Sequence, residues 1–264
     1  MSRIAGEAQV ALHIRGAGKA YRRADGSSAV ALQPVSTTVA RGEFVSLVGP
    51  SGCGKTTLLK MCAGLAAVSQ GSITVADTGQ PLRPGKYGIV FQAPALLPWR
   101  TVLANVLLPA DILGLASGDA HARAQMLLEM VQLQGVADRY PRELSGGMQQ
   151  RVAIARALLH DPYVLFMDEP FGALDAITRE DLNLALQRIH VQQRKTVLFV
   201  THDIDEAVLL SDRVLVFAGT PGRLVADVRI ELPRPRTIAD RKYAGFHAAA
   251  ETIRGALEQR VAEV

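Results

Sequence analysis

The chain has 264 residues, 48% of them apolar, with 29 basic and 25 acidic residues and a net charge of +4. That composition supports a large core, in one domain or in a domain with an insertion, and excludes wholesale disorder. The basic residues are scattered, which argues against a nucleic-acid stripe, and no stretch is long and apolar enough to span a bilayer. Cys53 and Cys62 are the two cysteines, too few for a disulfide framework, and reduced thiols in a cytosolic protein are the expectation. The N-terminal MSRIAGEAQV lacks a signal-peptide pattern.

From about Val10 to Val39 apolar and polar residues alternate around a polar turn at Asp25–Ser28, which predicts an antiparallel N-terminal sheet. Phe44–Val48 is a short apolar run suited to a buried parallel strand, with a helix from about Lys55 and short strands near Ser72–Val75 and Gly88–Phe91. From Ala93 to about His160 helical periodicity dominates: Val102–Leu113, Ala120–Val131 and Gly146–Leu159. Strand and helix then alternate again, as Val164–Met167, Ile177–Gln192, Thr196–Val200, Asp205–Leu210 and Arg213–Phe217. The alternation predicts an α/β fold with a mainly parallel sheet covered on both faces. Leu232–Arg236 is broken by prolines, and a last helix is expected over about Ile238–Val261. The expected division is an α/β core over 1–92 and 161–235, a helical subdomain over 93–160 and a C-terminal helix over 236–264.

Three constellations carry chemistry. Gly49-Pro-Ser-Gly-Cys-Gly-Lys-Thr56 matches the phosphate-loop pattern between a predicted strand and helix. Its glycines let successive backbone N–H groups ring a phosphate, so Gly49, Pro50, Ser51, Gly52, Cys53 and Gly54 line the loop. Lys55 is placed to reach the β- and γ-phosphates, Thr56 to ligate Mg²⁺, and Thr57 to add an N–H and a hydroxyl near the α-phosphate. Second, the apolar run Val164–Met167 ends in Asp168 and Glu169. Asp168 is expected to face the loop of a neighbouring parallel strand, where Mg²⁺ sits, and Glu169 to polarise a water. His202, after the strand ending at Val200, adds a third polar group at the carboxyl edge, where open α/β sheets bind ligands. Third, Leu144-Ser-Gly-Gly-Met-Gln-Gln-Arg151 reads as a helix start capped by Ser145, a second anion site in a chain that already has one.

With these pieces in order the chain resembles the ATP-binding subunits of ABC transporters over residues 10 to 217. The likeness rests on GPSGCGKTT, Val90-Phe-Gln92, LSGGM, LFMDEP, Gly172-Ala-Leu-Asp175 and Thr201-His202. It implies a P-loop NTPase (RecA-like) core with an N-terminal antiparallel sheet and an inserted helical subdomain, hydrolysing ATP with Mg²⁺. It also implies that Tyr21 stacks on adenine, that Gln92 senses Mg²⁺ and the attacking water, that Glu169 is the general base and that His202 contacts the γ-phosphate. Ser145, Gly146 and Gly147 would bind the γ-phosphate held by a second copy of the chain, and Asp175 would couple the two sites. Met148 departs from the family's commonest glutamine at the fifth signature position.

Phe91–Thr101 reads either as a docking groove for a partner's helix or as packing between subdomains. LLPWRTVLANV, DEPFGALDAITRE and PGRLVADVRIELPRPR resemble importers of the nitrate, sulfonate and taurine type, whose relatives also carry vitamin precursors. The resemblance implies transmembrane permease partners, an extracytoplasmic solute-binding protein and a peripheral place on the cytoplasmic face of the inner membrane, with no nucleic acid. A DNA-repair or chromosome ATPase would place a long coiled coil between the phosphate loop and the signature, and this span has no sustained heptads. The presence of Lys55, Asp168, Glu169 and His202 together argues against a non-hydrolysing regulator.

Overall fold

The computed structural model describes residues 9–22, 26–172 and 174–258. The antiparallel N-terminal unit is two strands, β1 (Val10–Arg22) and β2 (Ser28–Ala40), with β4 (Gln70–Val75) on the far side of β1, in the order β2-β1-β4. Asp25, in the expected turn, lies outside the described residues. The second sheet is built from β3 (Phe44–Val48), β5 (Tyr87–Val90), β6 (Val164–Asp168), β7 (Thr196–Thr201), β8 (Arg213–Ala218) and β9 (Arg223–Arg229). Its order is β5-β6-β7-β3-β8-β9, parallel except for β9, which runs antiparallel to β8.

The central strands read as continuous apolar runs because both of their faces are buried. On β6, Val164 and Phe166 join a core shared with the N-terminal sheet and α1 (Lys55–Cys62), while Leu165 and Met167 face the helices on the other side. The first core is lined by Leu12, Ile14, Leu32, Leu58 and Phe217. The second runs without a break from the sheet into α2 (Val102–Leu113), α3 (Ser117–Met130) and α4 (Gly146–Leu158), which pack on one another. Their boundaries follow local chemistry. Thr101 caps α2 by accepting from Ala104 N at 3.3 Å, and left-handed Gly114 ends it.

Two expectations need correction. The strand β9 is absent from the sequence reading although Leu224, Ala226 and Val228 alternate with Arg223, Asp227 and Arg229; the run is short and Val225 interrupts it, and the antiparallel pairing with β8 makes it an edge strand. The last helix does not start at Ile238. A 3-10 turn over Ile238–Lys242 is closed by Asp240, whose carboxylate accepts from Thr237 N, and α7 runs Ala244–Glu258. Phe246, Ala250 and Ile253 seat α7 on β8, β9 and α6 (Ile204–Leu210), in a third core with Val208, Val214 and Val216.

The proline-broken segment before it is not a loose linker. Arg236 is 3% exposed and donates to the carbonyls of Val208 and Ser211, both at 2.6 Å. Gln187 on α5 (Ala176–Gln193) grips the Arg236 backbone through its amide nitrogen and oxygen. Among the described residues no helix is long and apolar enough to cross a membrane.

Candidate nucleotide-hydrolysing site

The phosphate loop leaves β3 and turns into α1 through Gly52 and Gly54, both left-handed, so the first amides of α1 point into the loop. The Lys55 Nζ is buried under it and donates to Gly49 O at 2.8 Å and Pro50 O at 2.9 Å. Cys53 is buried against Lys55, with Sγ 3.8 Å from Nζ, and burial raises its thiol pKa despite the neighbouring cation. It is therefore a loop filler rather than a reactive thiolate.

Asp168 does not come from the strand beside the loop. Strand β7 lies between β3 and β6, so the loop and the carboxylate meet across an intervening strand. The expectation of a neighbouring strand fails because sequence order says nothing about which parallel strand inserts between two others. The two groups still meet: Thr56 Oγ1 donates to Asp168 Oδ1 at 2.7 Å. A hydroxyl and a carboxylate oxygen side by side at a phosphate loop are hard donors of the kind Mg²⁺ takes, so the residues present fit that ion. Among the described residues no three His, Cys, Asp or Glu side chains converge on one point.

The intervening strand delivers the next group. His202 follows β7, and its Nδ1 is 3.6 Å from Glu169 Oε2. Glu169 itself has φ +43°, a left-handed backbone that costs a side-chain-bearing residue about 1–3 kcal/mol. Its N–H donates to Val200 O at 3.0 Å and its carbonyl accepts from Gly172 N at 3.2 Å, which hold the turn. Gln92 reaches the same place, since a Cβ built on Gly172 would lie 3.5 Å from Gln92 Nε2 and 3.8 Å from Glu169 Oε2. Thus Lys55, Thr56, Asp168, Glu169, His202 and Gln92, from four parts of the chain, gather at one sheet edge.

Ser145 and Asp175 gather elsewhere. Ser145 caps α4 by accepting from Met148 N at 3.3 Å, and Asp175 caps α5 by accepting from Thr178 N at 3.0 Å. The Thr178 amide also lowers the Asp175 pKa. The two helix starts touch: a Cβ on Gly147 would sit 2.3 Å from Thr178 Cγ2, so a side chain there would have to displace that of Thr178. Helix α4 packs on α2, α3, α5 and β5, whereas α1 packs on β2, β6 and β7. Tyr21 stands at the end of β1, 48% exposed, with Lys19 Nζ 5.0 Å above its ring.

Three supporting residues escape a reading of the sequence. Gly222, in the β8–β9 turn, backs the phosphate loop so closely that a Cβ there would lie 1.8 Å from Cys53 O. The Thr-Pro-Gly run signals a turn but not what the turn touches. Gly222→Ala is therefore expected to displace the loop and weaken binding of a fluorescent ATP analogue more than tenfold, with far-UV circular dichroism unchanged. Glu206 is buried below the His202 loop, where burial raises its carboxyl pKa, and Arg179 lies beside it in the same cleft. A buried acid in a helix is visible in sequence only as a charge on an apolar face.

Residues 32–172 match the family of ABC transporters. The chain is 50% identical over 215 residues to an aliphatic sulfonates import ATP-binding protein of Nocardia farcinica, covering 81% of this chain and 84% of that one. It is 45% identical over 224 residues to a bicarbonate transport ATP-binding protein of Synechocystis, covering 83% of this chain and 33% of that longer one. Among solved structures it is similar to a dimeric ATP-binding cassette in a post-hydrolysis state bound to ADP and phosphate. That likeness has a TM-score of 0.72 and 31% identity, and it covers 84% of this chain and 100% of the other. The chain belongs to the ABC transporter family, as one of its ATP-binding, ATP-hydrolysing subunits.

Proposed function

We propose that two copies of this chain form a head-to-tail dimer around two ATP molecules and drive an importer of a small anionic solute. One observation carries the reading: the phosphate loop and the hydrolytic groups share one sheet edge, while Ser145 starts a helix packed on other elements. A second chain, turned about a twofold axis, supplies the missing donors to each site. The solved dimeric cassette supports that assembly, and the relatives named for sulfonate and bicarbonate import support the solute class. A vitamin precursor served by the same engine is the alternative solute, and a non-transport ATPase the more distant one.

In this mechanism Gly49–Gly54 amides and Lys55 hold the phosphates, Lys55 exchanging loop carbonyls for phosphate oxygens. Thr56, Asp168 and Gln92 would hold Mg²⁺, which neutralises phosphate charge when bound. Glu169 accepts the proton of the attacking water, and His202 holds the γ-phosphate in line. Ser145, Gly146 and Gly147 of the other copy donate to that phosphate, Asp175 links the paired sites, and Tyr21 stacks on the base. The chain supplies positioning and charge rather than covalent chemistry.

Closure would move the helical subdomain (93–160) against the core (1–92 and 161–235), with α7 (Ala244–Glu258) riding on the core. The Gln92 loop would pass that motion to a transmembrane permease at the cytoplasmic face of the inner membrane, fed by an extracytoplasmic solute-binding protein. Its shape suits the role. Asn105 pins the loop through Leu97, Arg100 and Thr101 carbonyls, Arg156 holds Pro94 and Ala95, and Trp99 is left 71% exposed.

Aliphatic sulfonates, nitrate and bicarbonate, offered to the reconstituted complex, should separate the solutes, the correct one raising ATP turnover several-fold. Failure of every small anion would remove the solute class. Trp99 is the single tryptophan, and its fluorescence should shift when the permease binds. An unchanged signal in a proven complex would remove the docking assignment.

A further inference from the structure

Beneath the catalytic edge, Arg179 on α5 joins two loops that the sequence keeps far apart. Its Nη2 donates to Leu174 O at 3.1 Å, one residue before Asp175. Its Nη1 is 3.7 Å from Asp203 Oδ2, one residue after His202. The guanidinium is 29% exposed and Asp203 34%, so the bridge is partly shielded from water. Asp203 is itself fixed, since Oδ1 caps α6 by accepting from Glu206 N at 3.0 Å and its own N–H donates to Thr201 Oγ1 at 3.0 Å. The Thr201 hydroxyl spends its proton on Glu206 Oε2 at 2.5 Å, and Asn183 of α5 donates to the other carboxylate oxygen at 3.3 Å. Two points of α5, Arg179 and Asn183, one helical turn apart, therefore hold the segment Thr201–Glu206 at Asp203 and at Glu206. Glu169, Arg179, His202 and Glu206 line one small cleft.

We propose that Arg179 is a positioning residue that locks the Asp175 loop to the His202 loop, so that the two move as one unit during hydrolysis. A fork with donors on two nitrogens can hold a carbonyl and a carboxylate at once, which a single ammonium cannot do with the same geometry. The inference rests on the assignments of His202 and Asp175 made above and adds a cause for their mutual placement.

The test is a double-mutant cycle on ATP turnover by the full chain, with Arg179→Ala, His202→Ala and both together. Because Arg179 acts through His202, Arg179→Ala should lower kcat about tenfold with KM for ATP unchanged, and should cost nothing further once His202 is alanine. Asp203→Asn retains the helix cap and loses the charge pair, so it should give the same kcat loss with an unaltered melting temperature. It also answers a failure of Arg179→Ala to fold. Arg179→Lys should restore only part of the rate.

Wild-type kcat in both Arg179→Ala and Asp203→Asn would overturn the proposal. An equal fold-loss from Arg179→Ala with and without His202 would also overturn it. If His202→Ala hydrolyses ATP normally, the site reading falls and this inference with it. Slow His202→Ala beside wild-type kcat in both Arg179→Ala and Asp203→Asn removes this inference alone.

Discussion

Replacing Glu169 with glutamine is expected to leave ATP binding intact and to slow hydrolysis by about 10²–10⁴-fold, the range over which a positioned general base acts. The isosteric amide keeps the shape of the turn, in which the Glu169 N–H is bound to Val200 O and its carbonyl to Gly172 N. It replaces the carboxylate that lies 3.6 Å from His202 Nδ1 with an amide, which cannot take a water's proton. Single-turnover hydrolysis and equilibrium nucleotide binding, measured on one preparation, separate the two effects. Turnover within a few-fold of wild type would remove Glu169 as the base.

A mixture of Lys55→Ala and Ser145→Arg chains is expected to recover activity that neither variant has alone. Lys55 lies under its own chain's phosphate loop, and Ser145→Arg would fill the start of α4 with bulk and charge where Ser145 now caps it. In a head-to-tail mixed dimer both lesions fall on one site and leave the other whole. At equal mixing about half the dimers are mixed, so about a quarter of the wild-type sites return if sites turn over independently. If both motifs served one chain's own site, every site would carry one lesion and the mixture would stay inactive.

Much of the site was legible because its local chemistry is sequential. A phosphate loop needs small residues in a row followed by Lys and Thr, and LSGG needs a cap with small residues behind it. Both fit in under ten residues, so spacing reveals them. Helix α2 was equally plain, its start set by Thr101 and its end by Gly114. Where a role depends on a neighbour distant in the chain, the pattern is silent. Gly222 looks like any turn glycine until Cys53 O is found against it. Arg179 looks like a surface arginine on an amphipathic helix until its two acceptors are seen.

The α/β alternation, the two capped or glycine-led helix starts and the groups that could act on a phosphate are all readable from the residues alone. Those follow from periodicity and from residue chemistry, which are local. The insertion of β7 between the loop strand and the Asp168 strand, which brings His202 beside Glu169, appears first in the folded chain. Only it showed that β9 completes the sheet and that α4 packs on α2, α3, α5 and β5 while α1 packs on β2, β6 and β7. Strand order and helix placement depend on which apolar faces bury each other, and many orders bury the same runs of Val, Leu and Phe equally well on paper. The choice among them is made by packing over the whole chain, which no short window contains.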